Sequence, residues 1–100
     1  MKIDMSGTDA CFMLHMAGRF DVACQAEFLE AIVKAVTAAG WEIRVDLGKV
    51  DYLDSSALGL LLLLRDKAGG AGKKVTLANA RGSVEQVLEI AKFNKIFTVI

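Results

Sequence analysis

The chain has 100 residues, 54% of them apolar, with no proline, two cysteines and a net charge of zero. That length suits one domain that buries a core without staples. The balanced charge offers no broad basic field, which argues against nucleic acid or an anionic membrane as the main partner.

Met1-Lys2-Ile3-Asp4 lacks the apolar run of a signal peptide. The leucine run Leu60–Leu64 falls far short of the roughly 20 apolar residues of a membrane span. A cytoplasmic protein with no direct membrane insertion is therefore expected. Cys11 and Cys24 do not form a CxxC pair and have no neighbouring ligand cluster, so two free, partly buried thiols and no metal are expected.

In chain order, residues 1–6 are predicted as a short strand, Gly7-Thr8-Asp9 as a turn and Ala10 to Ala17 as a second strand. Phe12, Leu14 and Met16 share one face there, with Cys11, Met13 and His15 on the other. A link of that length predicts an antiparallel hairpin. Gly18-Arg19-Phe20-Asp21 then ends the strand and starts a helix, with Asp21 as N-cap. Val22, Ala26, Leu29, Ile32, Val33 and Val36 recur at helical spacing as its apolar stripe, and Gly40 is its stop.

Trp41 to Leu47 alternates, with Trp41, Ile43, Val45 and Leu47 set against Glu42, Arg44 and Asp46. Such a strand has one buried face and one wet face, which fits helices on one side of the sheet. A loop over 48–56 leads to a second helix from about Ser56 to Lys67 or Ala68, with Ala57, Leu60, Leu61, Leu64 and Ala68 as its stripe. Leu58, Leu62 and Leu63 widen that arc beyond what one sheet covers. Gly69-Gly70-Ala71-Gly72 is predicted to break the helix.

Lys73 to Asn79 is the next strand, and Asn79-Ala80-Arg81-Gly82 its loop. Ser83 to Gln86 has capping-box spacing ahead of a third helix carrying Val84, Val87, Leu88 and Ala91. Asn94 is the expected left-handed stop, and Lys95 to Ile100 the last strand. The order ββαβαβαβ predicts an α/β fold: a small, mostly parallel mixed sheet with an opening antiparallel hairpin.

Asp54-Ser55-Ser56 holds the richest chemistry. Short polar side chains before an apolar helix are N-cap chemistry, with Asp54 or Ser55 able to cap. A serine at the same junction sits at the positive end of the helix dipole, where a phosphate is welcome. In a parallel sheet, functional loops gather at the carboxyl ends of strands, which would unite 18–21, 48–56 and 79–82.

Asp54-Ser55-Ser56-Ala57-Leu58-Gly59, after Val45-Asp46-Leu47 and Val50, resembles the signature of STAS domains, and more narrowly that of bacterial anti-sigma factor antagonists. Their usual motif is Asp-Ser-Ser-Gly-Leu-Gly, so Ala57 departs from it. The resemblance covers nearly the whole chain and implies a single STAS domain over residues 1–100. It implies Ser56 as phosphoacceptor, with Ser55 second to it. It also implies a partner-binding face of Asp21, Asp54, Ser55, Ser56, Asn79 and Arg81. The implied partners are an anti-sigma factor that is also a serine kinase, and a phosphatase.

An enzyme is not expected, because GxSxG, GxxxxGK[ST] and GxGxxG are all absent. His15, the only histidine, is read as structural, and no cofactor is implied. The alternative implied role is a non-catalytic STAS subunit of an ATP-binding cassette transporter moving lipids. A small-ligand sensor is a third, for which no ligand is named.

Overall fold

The computed structural model describes residues 2–100; Met1 of the expected first strand lies outside them. β1 (Lys2–Gly7) pairs antiparallel with β2 (Cys11–Phe20), so Lys2 faces Ala17 and Gly7 faces Phe12. Thr8 ties the turn. Its N–H donates to the Cys11 carbonyl at 2.8 Å, and its hydroxyl accepts from the Cys11 N–H at 3.1 Å.

Helices and strands then alternate as α1 (Gln25–Thr37), β3 (Glu42–Leu53), α2 (Ser55–Gly70), β4 (Lys74–Ala78), α3 (Gly82–Ile90) and β5 (Thr98–Val99). The sheet order is β1-β2-β3-β4-β5, parallel from β2 onward. Right-handed crossovers that all step in one direction leave all three helices on one face. Between the layers lie Leu14, Ile43, Val45, Leu47 and Leu77 of the sheet, and Phe28, Leu61, Leu64, Val84 and Leu88 of the helices, all buried. His15, Arg44 and Asp46 occupy the open face. The predicted mixed sheet with helices on one face is the observed fold.

Several boundaries differ from expectation. The loops expected over 18–21 and 48–56 are largely strand, because β2 continues to Phe20 and β3 to Leu53. Two bulges in β3 hold that longer pairing together. His15 faces Asp46 but Ala17 faces Lys49, and Gly18 faces Val50 but Arg19 faces Tyr52. Each bulge adds one residue to β3, so its buried positions step by three, from Leu47 to Val50 to Leu53. Alternation read forward from Trp41 cannot survive those phase shifts. Trp41 itself is exposed and precedes the strand, while Glu42 is buried, its carboxylate accepting the Thr76 hydroxyl at 2.7 Å.

The face of the first helix is also corrected. A 3-10 turn, Val22–Cys24, precedes α1 and rotates the chain. Cys24, Phe28, Ala31, Ile32 and Ala35 are buried, whereas Val22 is 61%, Leu29 37% and Val33 60% exposed. Gly40 is not the helix stop, since α1 ends at Thr37. It has φ +96, and a Cβ there would lie 2.6 Å from the Ala10 carbonyl, so Gly40 lets the β3 entry cross the hairpin turn.

The stripe of α2 is the predicted one: Ala57, Leu60, Leu61, Leu64 and Ala68 are its buried residues. The glycines do not break it at Gly69, because the helix runs to Gly70. The capping box at Ser83 is not formed. α3 begins at Gly82, with Arg81 as N-cap and no side-chain cap bond. The left-handed residue after α3 is Lys92 (φ 61), and Asn94 lies within a 3-10 turn, Phe93–Lys95. Phe93 and Phe97 bury their rings 5.1 Å apart, which turns the chain inward and leaves only Thr98–Val99 as the last strand.

Gly59 stands inside α2 with nothing within 4 Å of where a Cβ would sit. Gly59→Ala is therefore expected to stabilise the fold by ~0.5–1 kcal/mol through reduced unfolded-chain entropy, read as a higher urea midpoint.

Candidate functional site

β2 and β3 end side by side, since Phe20 pairs with Leu53. The next residue on each is an aspartate that starts a helical segment. Asp21 Oδ1 accepts the Ala23 N–H at 3.0 Å, and Asp54 Oδ1 accepts the Ala57 N–H at 2.9 Å. Both are side-chain caps satisfying a free N–H at a helix start. Asp21 caps the 3-10 turn, not α1 itself.

Because Asp54 caps α2, the helix opens one residue earlier than predicted, at Ser55. Ser55 and Ser56 thus occupy its first two positions, and both are exposed. Neither hydroxyl is needed as the cap. Ala57 is fully buried at the base of this turn and helical, so the position calls for no glycine. A small side chain is what that packing requires.

Arg19 borders the paired aspartates. Its Nε lies 3.5 Å from Asp21 Oδ2, and its guanidinium stacks 4.0 Å over the half-exposed Tyr52 ring. Cation–π stacking of this kind fixes a long side chain at modest free-energy gain. The Cys24 thiol donates to the Asp21 carbonyl at 3.0 Å. Burial holds the thiols of both Cys24 and Cys11 above their ordinary pKa, and both are free.

Asn79 and Arg81 form a second group, across β3 from Asp21. Asn79 has φ 63, the left-handed region that asparagine tolerates better than most residues. Its Nδ2 donates to Asp46 Oδ1 at 3.1 Å, and the same oxygen accepts the Gly48 N–H at 3.0 Å. Arg81 is exposed, and it lines an open cleft of about 280 Å³ between Gly48–Asp51 and Gly82–Val84. The segment Gly48–Asp51 therefore lies between the two groups. No side-chain hydrogen bond or ion pair joins Asp54, Ser55 or Ser56 to Asn79 or Arg81 among the described residues.

Asp46 is the residue that sequence reasoning missed. The alternation places it on the wet face of its strand with no partner, yet it knots the β3 bulge to the end of β4. A Cβ on Gly48 would lie 3.2 Å from Asp46 Oδ1 and 3.3 Å from Asn79 Cβ, so the knot is tightly packed. The available signal was Asp-x-Gly, an aspartate two residues before a glycine, which is Asx-turn spacing. His15 is likewise not isolated. Nδ1 lies 3.3 Å from Asp46 Oδ2 and Nε2 3.3 Å from Ser6 Oγ, partners that pairing with β1 and β3 brings in from distant sequence.

The Gly48 N–H, then Asn79 and His15, hold the Asp46 carboxyl below its usual range against the opposing effect of burial. The Thr76 hydroxyl, then Arg44, does the same for Glu42. A carboxylate lowered in the folded state stabilises it fully above the unfolded value. That contribution is lost as pH falls through the folded value. Stability is thus expected to fall below about pH 4, as these two groups protonate. Asp46→Asn should make that acid limb shallower in urea titrations, while lowering stability at neutral pH.

Among the described residues no three His, Cys, Asp or Glu side chains are placed to hold a metal ion. No helix of the structure is long and apolar enough to cross a membrane.

Comparison with known proteins bears on what this geometry belongs to. The family described as "Mlab, STAS domain" matches residues 3–99. A STAS-domain containing protein of Pseudomonas aeruginosa is 41% identical over 87 residues, covering 86% of this chain and 84% of the relative. BtrV of Bordetella bronchiseptica, named as a candidate anti-sigma factor antagonist, is 34% identical over 101 residues, covering 99% and 85%. The crystal structure of a candidate anti-sigma factor antagonist from Thermotoga maritima superposes with a TM-score of 0.86 at 17% identity, over 97% of this chain and 84% of that one. A family match over residues 3–99, two relatives above 30% identity and a shared fold agree: this chain belongs to the STAS domain family and is similar to anti-sigma factor antagonists.

Proposed function

We propose that the chain is an anti-sigma factor antagonist, a single STAS domain over residues 1–100 that works by partner switching in the cytoplasm. In this reading Asp21, Asp54, Ser55, Ser56, Asn79 and Arg81 form the face that binds an anti-sigma factor which is also a serine kinase. The kinase transfers the γ-phosphoryl group of ATP to Ser56 Oγ, releasing ADP and the hydroxyl proton. A phosphatase restores the serine by hydrolysis. The chain is a substrate in this cycle, not a catalyst.

One observation carries the reading. Asp54 takes the capping role, which leaves the exposed Ser56 hydroxyl free at the positive end of α2. A phosphate of charge about −1.5 to −2 gains there from the helix dipole, so modification is compatible with the fold. The relation to BtrV supports the same assignment. Incubation with ATP and the anti-sigma kinase that this reading requires should place one phosphate on Ser56 by peptide mass spectrometry. Phosphate on Ser55 alone, or none at all, overturns the site assignment.

A second reading, a non-catalytic STAS subunit of an ATP-binding cassette lipid transporter, is favoured by a different observation. Leu29 and Val33 on α1, with Val22 in the turn before it, leave apolar side chains open to solvent, and Leu62 is 42% exposed on α2. Exposed apolar surface of this kind suits a lasting subunit contact. Stable co-purification with an ATPase, without phosphate exchange, would select it.

A further inference from the structure

A run of hydrogen-bonding contacts crosses the sheet from β1 to the end of β5, and Asp46 is where it branches. Ser6 Oγ on β1 lies 3.3 Å from His15 Nε2 on β2, and His15 Nδ1 lies 3.3 Å from Asp46 Oδ2 on β3. Asp46 Oδ1 accepts the Gly48 N–H at 3.0 Å and, just past β4, Asn79 Nδ2 at 3.1 Å. The Asn79 N–H then donates to the carbonyl of Ile100, the residue after β5, at 3.1 Å.

The branch does two separate things. The first bulge sets Leu47 and Gly48 out of register with β2, and the Asp46 carboxylate supplies an acceptor for the Gly48 N–H there. The bond to Asn79 reaches further. Only residues 79–81 join β4 to α3, and Asn79 opens that loop in a left-handed conformation. Fixing Asn79 therefore fixes where Arg81 leaves the sheet. Arg81 is exposed and, among the described residues, within ion-pair distance of no carboxylate. Its guanidinium is free to meet a partner, whereas both Asp46 oxygens are engaged within the chain.

We propose that Asp46 is a positioning residue for partner binding: it holds the Asn79–Arg81 loop in place relative to the Asp21–Ser56 group without itself touching the partner. The proposal rests on the serine-face reading and names what joins the two halves of that face. The covalent path between them is β3 itself, from the Asp46–Gly48 knot through the second bulge to Asp54. A face built from two loops binds well when both are preorganised, because ordering a loose loop on docking lowers affinity.

The test is calorimetric binding of the full chain to the anti-sigma partner, with urea titration confirming that each variant is folded. Asp46→Ala is expected to weaken binding about tenfold, and Arg81→Ala by a similar factor. The double variant should bind about as well as either single one, because an Arg81 that is no longer placed contributes little. Combined with Asp21→Ala, on the other half of the face, the two losses should multiply. Asp46→Asn keeps an acceptor for Gly48 and Asn79, and should bind within about threefold of the wild type. Should Asp46→Ala not fold, Asn79→Gly takes its place in the same comparisons, since glycine keeps the left-handed backbone and removes only the amide.

Binding within about threefold of the wild type for Asp46→Ala or its replacement overturns the proposal. So does a loss that multiplies with that of Arg81→Ala. Asp46→Asn binding as weakly as Asp46→Ala overturns it too, because the charge and not the knot would then be what the partner reads. Arg81→Ala without effect also removes it. The serine-face reading survives that last result if Ser56→Asp still weakens binding, and falls with it if Ser56→Asp does not.

Discussion

Ser56→Asp is expected to weaken binding to the anti-sigma partner more than a hundredfold while leaving the melting temperature unchanged or slightly raised. The two effects separate because they arise on different sides of the serine. Toward the protein, position 56 lies in the first turn of α2. A carboxylate there interacts favourably with free N–H groups, by about 0.3–1 kcal/mol. Toward the partner, the contact changes from a small hydroxyl to an anion that must shed water on docking.

A loss of ~3 kcal/mol at such a contact is more than a hundredfold in affinity. Asp54 is also close in sequence and acidic, so the added charge enters an already negative corner. Ser56→Ala should bind normally and accept no phosphate, and Ser55→Asp should have the smaller effect. Calorimetry on the four proteins decides it. Ser56→Asp binding within about threefold of the wild type, roughly 0.7 kcal/mol, would remove the switch from this serine.

The elements that were legible in the sequence share a cause. The α2 stripe from Ala57 to Ala68 was read correctly because its helix is uninterrupted and its period unbroken. Ile43 and Val45 follow the alternation for the same reason, as the first bulge in β3 begins only past Asp46, and Leu47 at its start is still buried. Past Gly48 the period fails twice, and a loop was inferred where a bulged strand exists. Asp21 and Asp54 were recognised because an N-cap is a local interaction, made within three residues.

Partnerships made across the sheet were not legible. Asp46 with Asn79, His15 with Asp46, and Glu42 with Thr76 span 31 to 34 residues. Only strand register brings them together, and no periodicity reports register between parallel strands. The missing capping box has the opposite origin. Ser83 and Gln86 have the right spacing, but Gly82 at φ +60 already begins α3, so Ser83 comes too late to cap it. A motif was present without the geometry that gives it meaning.

The first helix turns this difference into a measurable contrast. Helical spacing assigned Val33 to the core and passed over Phe28, whereas Phe28 is fully buried and Val33 is 60% exposed. Phe28→Ala is expected to destabilise the fold by ~3–5 kcal/mol, the cost of lost transfer free energy plus an unfilled cavity. Small domains have total stabilities of about 5–15 kcal/mol, so this one change brings the chain close to the unfolding threshold.

The cost is also local to the serine face. Phe28 packs on Phe20, with ring centroids 5.0 Å apart and planes tilted by 43°. Phe20 is the last residue of β2, directly before the Asp21 cap and beside Leu53. Removing the ring should therefore loosen the Asp21 turn before it unfolds the sheet, read as early amide exchange at Ala23 and Cys24. Val33→Ala, by contrast, should change stability by less than about 0.5 kcal/mol, as surface substitutions do. Phe28→Leu, which keeps most of the volume, should recover much of the loss. Urea titrations in which Val33→Ala cost as much as Phe28→Ala would mean that the exposed stripe is covered in solution, and the first helix would then be an interface.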